Sequence, residues 1–220
     1  MADIQKLYAL RFTDTGLDKR KCVWKVLCDR FFNGLINPDS TVLDLACGYG
    51  EFINNIRCGR KLAVDLNPDA QANLDAGIEF FKSPATDLGQ IENDSIDTVF
   101  TSNFLEHLPN KEECDKVFSE TWRILKPNGQ FIVMGPNIKY AYRVYWDYYD
   151  HILPLSDMSI AEGLRQRNFT IDRAIPRFLP YTMNSSLPSA DIMVQIYLSL
   201  PIAWRIFGKQ FLVIAKKYRM

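Results

Sequence analysis

From Thr41 onward, short apolar runs recur, each bounded by turn residues and separated from the next by a helical or loop-like segment. They read "TVLDLA", "KLAVDL", "IEFFKS", "SIDTVFTS", "GQFIVMG", "FTIDRAI" and "QFLVIAKK". Runs of this length are candidate strands, and strands that alternate with helices predict an α/β fold with a mainly parallel sheet covered on both faces. Between the fourth and fifth runs, "KEECDKVFSETWRIL" sets Cys114, Val117, Phe118, Trp122 and Leu125 on one helical face, and "KPNG" closes it. Ahead of the first run, an N-terminal arm over residues 1–40 ends in "DKRKCVWKVLCDRFFNGLI". Its Val23, Val26, Leu27, Phe31 and Leu35 predict an amphipathic helix. Two segments break the alternation, 136–155, rich in Tyr and Trp, and 176–207. Insertions at the carboxyl edge of an open α/β sheet are where such folds build substrate sites, so both are expected to read the substrate.

Composition narrows the partners. With 220 residues and 47% hydrophobic side chains, one domain over 1–220 can bury a sizeable core. Basic and acidic residues balance at 26 each, and no long run of Lys or Arg gives the footprint of a nucleic-acid binder, so no nucleic-acid partner is expected. The five cysteines form no C-x-x-C pair and no finger spacing, so neither a metal nor a disulfide is expected. The N-terminus lacks the apolar core of a secretory signal and no run of about 18 uncharged apolar residues occurs, which predicts a cytoplasmic location.

The first strand runs into a small-residue turn, "TVLDLACGYGEF". Glycines in the first strand-to-helix turn of such a sheet let backbone approach a ligand, and the helix N-terminus offers free N–H groups. A dinucleotide site asks for G-x-G-x-x-G, but Ile53 stands where the third glycine belongs, which weakens the reading as a nicotinamide-dependent oxidoreductase. Asp65, at the end of the second strand, suits the hydroxyls of an adenosine ribose, a role shared by dinucleotide and S-adenosylmethionine sites.

Five segments, in order, carry a resemblance: "VLDLACGYGEF", "LAVDLNP", "ATDL", "IDTVFTSNFLEHL" and "RILKPNGQFIV". Together they resemble the class I S-adenosylmethionine-dependent methyltransferases, in particular the small-molecule branch. The resemblance runs from about residue 41 to about residue 135. Segments after the core are similar to bacterial members associated with surface-polysaccharide and secondary-metabolite clusters. It implies a Rossmann-like fold of seven strands with the last, near Gln210 to Lys216, antiparallel. It also implies Asp44, Ala46, Gly48 and Gly50 around the methionine half of S-adenosylmethionine, Asp65 on the ribose and Leu66 on the adenine. In "ATDL", Asp87 would accept the adenine amine, with backbone N–H groups of Thr86 and Leu88 at the ring nitrogens. Asn103 and Phe104 would line the floor near the sulfonium, and Arg11 would pair with the cofactor carboxylate. Cys47 is a small turn residue, with no base to make it a nucleophile.

A sugar or alkyl hydroxyl stays protonated at neutral pH and needs a base, whereas an amine or carboxylate already presents a lone pair. The chain has two histidines. His151, in "WDYYDHILPLSD", is the favoured base, with Asp150 or Asp147 as orienter, and His107, in "NFLEHL", is the second candidate. The acceptor implied is a hydroxyl of a small molecule or saccharide; N- or carboxylate methylation, and a non-catalytic cofactor-binding protein, are the alternatives. The aromatics between Tyr140 and Tyr149 suit sugar stacking, a lid, or plain packing. The apolar segment 189–207, broken by Pro201, reads as a cap helix or a homodimer surface, with contact to a membrane as the lesser alternative.

Overall fold

The computed structural model describes residues 14–181 and 190–218. Seven strands form one sheet: β1 (Thr41–Leu45), β2 (Arg60–Asp65), β3 (Glu79–Lys82), β4 (Ile96–Ser102), β5 (Leu125–Pro136), β6 (Thr170–Ile175) and β7 (Gln210–Lys216). Their order across the sheet is β3-β2-β1-β4-β5-β7-β6. The first five strands pair in parallel. β7 runs antiparallel to both of its neighbours, as the resemblance implied for the last strand. After β3 the chain crosses back over β1 to lay down β4 on its other side, so the sheet reverses its direction of growth between β1 and β4. Ligands of open α/β sheets bind at the carboxyl ends of the strands flanking that reversal.

Strand side chains alternate between two buried layers, following the period of two along a strand. Leu43, Val64, Val99, Phe131 and Val213 point into one layer, which receives α3 (Lys111–Ile124) and α5 (Asp157–Gln166). Val42, Ala63, Phe100, Ile132 and Leu212 point into the other, against α1 (Asp14–Arg30) and α2 (Glu51–Asn55). Helix starts follow capping chemistry. The Asn110 side chain accepts the Glu113 N–H ahead of α3, and Ser156 and Ser159 exchange hydrogen bonds ahead of α5. On α3, Cys114, Val117, Phe118, Thr121 and Ile124 are buried. Within the two expected insertions lie α4 (Ile138–Tyr145) and then the pair α6 (Ala190–Ser199) and α7 (Pro201–Phe207), with α6 packed on α1.

Candidate functional site

At the end of β1 the backbone turns left-handed three times, at Ala46 (φ 59°), Gly48 (φ 55°) and Gly50 (φ 71°). Gly50 caps α2 in this conformation, and a Cβ there would lie 2.5 Å from the Leu74 Cδ2 atom. A side chain at this position is therefore both strained and crowded. Asp65 leaves β2 beside this turn and ties it down: one carboxylate oxygen accepts the Gly48 N–H at 2.8 Å, the other the Asn67 N–H at 2.8 Å. Leu66 follows it, a large aliphatic side chain with 52% of its surface exposed beside the turn.

Asp44 is buried under the same turn, and its carboxylate accepts the Ile53 N–H in the first turn of α2. Burial, reinforced by the nearby Glu51 charge, holds its pKa well above the usual carboxylate range. Asp44 thus orients the turn from below. Glu51 is itself buried and pairs with Arg20 of α1 at 2.6 Å. Burial pushes the Cys47 thiol up, in keeping with an inert turn residue.

The loop after β3 divides the residues expected there. Ser83 stands next to the acid, its N–H donating to the Asp65 carbonyl at 3.2 Å and its hydroxyl to the Asp87 carbonyl at 2.5 Å. Asp87 is exposed and accepts the Gly89 N–H. Leu88 is fully buried and its N–H donates to Glu120 Oε2 at 2.9 Å, so this N–H is not open to a ring nitrogen. Thr86 borders a shallow groove with Glu112, Ser119 and Glu120 of α3. The sequence-based assignment of Leu88 is corrected accordingly. Arg11 lies outside the described residues.

The chain leaves β4 through Asn103, left-handed at φ 49°, with its N–H on the Met134 carbonyl, and then through the half-buried Phe104. Thr101 ties this strand end to β1 by donating to the Leu45 carbonyl at 2.8 Å. Next comes Glu106, buried to 3% exposure, whose main-chain carbonyl accepts the N–H groups of Ile152 (2.9 Å) and Leu153 (3.0 Å). That backbone pairing delivers His151 to His107, with ring centroids 5.0 Å apart at 67°. A Glu106 oxygen and one ring nitrogen from each histidine all lie within 4.8 Å of one another.

Around this cluster, Asp150 holds His107: its carbonyl lies 3.0 Å and its Oδ2 3.3 Å from Nδ1. The Tyr181 hydroxyl is 3.3 Å from His151 Nδ1, Tyr148 stacks on the His151 ring at 4.9 Å, and Tyr145 lies at 4.7 Å. Tyr145 donates to the Leu153 carbonyl at 2.6 Å. Burial pushes the phenols of Tyr145 and Tyr181 up, so both stay protonated. Glu106, Tyr145, Tyr148 and Tyr181 were not singled out from the sequence. The aromatic density before His151 was the available signal for two of them.

Burial pushes the Glu106 carboxyl from 4.5 up to about 7, with His107 acting in the opposite sense. The folded protein therefore holds this proton at pH values where the unfolded chain has lost it. That preference stabilises the fold fully below about pH 4.5 and is lost as pH rises through about 7. Glu106→Gln keeps the shape without the titration. Its stability relative to wild type should rise between these two pH values, by up to roughly 3 kcal/mol for a shift of this size. Denaturant midpoints of both proteins across that range measure it, and parallel curves would show that Glu106 does not titrate there.

A family model described as a methyltransferase domain matches residues 43–133. Among solved structures, an S-adenosylmethionine-dependent methyltransferase from Archaeoglobus fulgidus is 22% identical with a TM-score of 0.64, covering 88% of this chain and 92% of its own. A putative methyltransferase from Haloferax volcanii, solved in complex with the Trm112 methyltransferase activator, is 19% identical with a TM-score of 0.69 and 96% coverage of each chain. Geranyl diphosphate methyltransferase, solved in complex with S-adenosylmethionine, is 14% identical with a TM-score of 0.60, covering 90% of this chain and 85% of its own. At these identities the likeness is one of fold. No curated protein sequence matches the chain.

Proposed function

We propose that the chain, whose residues 43–133 match a methyltransferase-domain family model and whose sheet has the class I S-adenosylmethionine-dependent fold, methylates a hydroxyl of a small molecule or glycan. The bound cofactor supplies an electrophilic methyl group on a sulfonium. One observation carries the cofactor assignment. At the reversal point of the sheet a left-handed small-residue turn, a carboxylate clamped to it and a half-exposed leucine stand side by side, a set that fits an adenosine ribose and base.

On this reading Ala46, Gly48 and Gly50 border the methionine half, with Asp44 setting the turn from beneath. Asp65 takes the ribose hydroxyls and Leu66 packs on the adenine. Asp87 takes the exocyclic amine, and of the three residues considered there Thr86 is the one whose N–H is left for the ring, because the Asp87 and Leu88 N–H groups are held by Pro84 and Glu120. Asn103 and Phe104, at the exit of β4, floor the space beside the histidine cluster, and Arg11 is assigned the cofactor carboxylate. A hydroxyl acceptor gives up its proton to His151, with His107 beside it as the second imidazole. Exposed Tyr142, Trp146 and Tyr149 on the adjoining segment support a ring-bearing acceptor such as a sugar.

Calorimetric titration with S-adenosylmethionine and, separately, with NAD tests the cofactor. Turnover to S-adenosylhomocysteine with pooled hydroxyl and amine acceptors tests the reaction. Asp65→Ala should weaken S-adenosylmethionine binding by about 1–3 kcal/mol, as expected when hydroxyls lose a charged acceptor. Unchanged affinity would remove Asp65 from the site.

A further inference from the structure

Segment 190–207 folds into two short helices that turn an apolar face outward. Val194 is buried, Tyr197 and Trp204 are half-buried, and the Tyr197 and Trp204 side chains donate to the Phe178 and Tyr197 carbonyls, which fixes the inner face. Outside, Ile192, Ile196, Leu200, Ile202, Ile206 and Phe207 are all exposed. The face continues onto the aromatic segment. Arg177 lies over the Tyr140 ring at 4.7 Å and donates to the Ile206 carbonyl at 2.5 Å, so Tyr140 of α4 and the end of α7 meet at one guanidinium. The same edge leads into the site, because Gln210, which follows α7, donates to the Pro180 carbonyl at 2.8 Å, one residue before Tyr181.

We propose that this face docks on an anionic lipid surface. The two helices would lie in the headgroup region, with their aliphatic side chains in the acyl boundary and the neighbouring arginines among the phosphates. Charge argues for the lipid. Arg205 and Lys209 stand on and just after α7 and Arg143 on the adjoining α4, none in an ion pair among the described residues, against the exposed acids Asp147 and Asp191, while Arg177 is held by the Gly208 and Ile206 carbonyls. Exposed Tyr142, Trp146 and Tyr149 add rings of the type that settle at a headgroup boundary. No helix among the described residues is long and apolar enough to cross a membrane, so the contact lies along the surface. If the methyl-transfer reading holds, on which this consequence rests, the face brings the histidine cluster to hydroxyls displayed at a bilayer, and the acceptor is an amphiphile.

Flotation of the full chain with vesicles tests the docking. The protein should float with vesicles of phosphatidylglycerol and phosphatidylcholine in equal parts, float much less with phosphatidylcholine alone, and be released by salt. Ile202→Glu with Ile206→Glu should reduce the bound fraction about tenfold or more, since charged groups replace buried aliphatic ones. Arg205→Glu should weaken binding to the anionic vesicles only. Tyr218→Glu, a change at an exposed ring outside the face, should leave binding intact. Circular dichroism establishes that each variant is folded. Absence of flotation, flotation insensitive to the isoleucine changes, or a dimer in sedimentation that those changes dissolve would each overturn the proposal. S-adenosylmethionine calorimetry on the same samples reads the methyltransferase assignment separately, so either can fail without the other.

Discussion

His151→Ala should lower kcat by about 10²-fold or more, the loss typical of a positioned general base, while S-adenosylmethionine affinity stays nearly unchanged. The expectation rests on where the two imidazoles sit. His107 ends the short helical turn that follows β4 and holds the Asp150 carbonyl and carboxylate through Nδ1, so it is committed to bracing the turn. His151 is held by rings, with Tyr148 stacked on it and the Tyr181 hydroxyl at its Nδ1, and a ring aligned through one nitrogen can meet a hydroxyl through the other. His107→Ala should therefore be milder in kcat. The two variants share a wall of the same cluster, so comparing their kcat with their cofactor affinity separates lost proton transfer from a collapsed pocket. Full turnover in both would mean that neither is the base, and an acceptor that already presents a lone pair would then account for the site.

The strand pattern was legible because each run is short, apolar and punctuated by turn residues, and the order of those runs carried the topology. Even the antiparallel β7 came through, on a resemblance. Boundaries moved where pairing overrode composition: β5 starts at Leu125 because Leu125 pairs with Ile96 across a break in register, four residues before the run that the sequence displays. The grouping of Asp65 with the left-handed turn was equally legible, since both are adjacent to strand ends. The histidine cluster was not. His107 and His151 are 44 residues apart and meet because Ile152 and Leu153 donate to one carbonyl, that of Glu106. A backbone hydrogen bond of this kind leaves no residue signature. The same limit explains "ATDL", where the environment of each side chain depends on Glu120 reaching across from α3. It also explains segment 189–207, whose composition suited a cap, an interface or a lipid contact until the packing of α6 on α1 showed which side chains face outward.

The largest loss of stability is expected from Phe100→Ala, about 3–5 kcal/mol, the range for truncating a buried aromatic in a close-packed core. Phe100 is 1% exposed in the middle of β4, where its backbone is in register with Asp44 on one side and Ile132 on the other. Its ring stacks on Phe52 with centroids 3.7 Å apart at 14° and meets Phe32 and Trp24 edge-on at 5.2 and 6.0 Å. Both edge-on neighbours are packed in the same layer, Phe32 fully buried and Trp24 buried on α1. The consequence reaches the cofactor site. Phe52 is the second residue of α2, two after the left-handed Gly50, so a cavity beneath it loosens the helix end on which the glycine turn rests. Denaturant unfolding should show the lower midpoint, and S-adenosylmethionine affinity, measured where the variant remains folded, should fall as well. Phe100→Leu should recover part of both. Tyr149→Ala, at a ring 87% exposed, should stay within about 0.5 kcal/mol of wild type. A Phe100→Ala protein within 1 kcal/mol of wild type would mean that the aromatic cluster closes around the gap, and that the turn does not depend on this ring for its support.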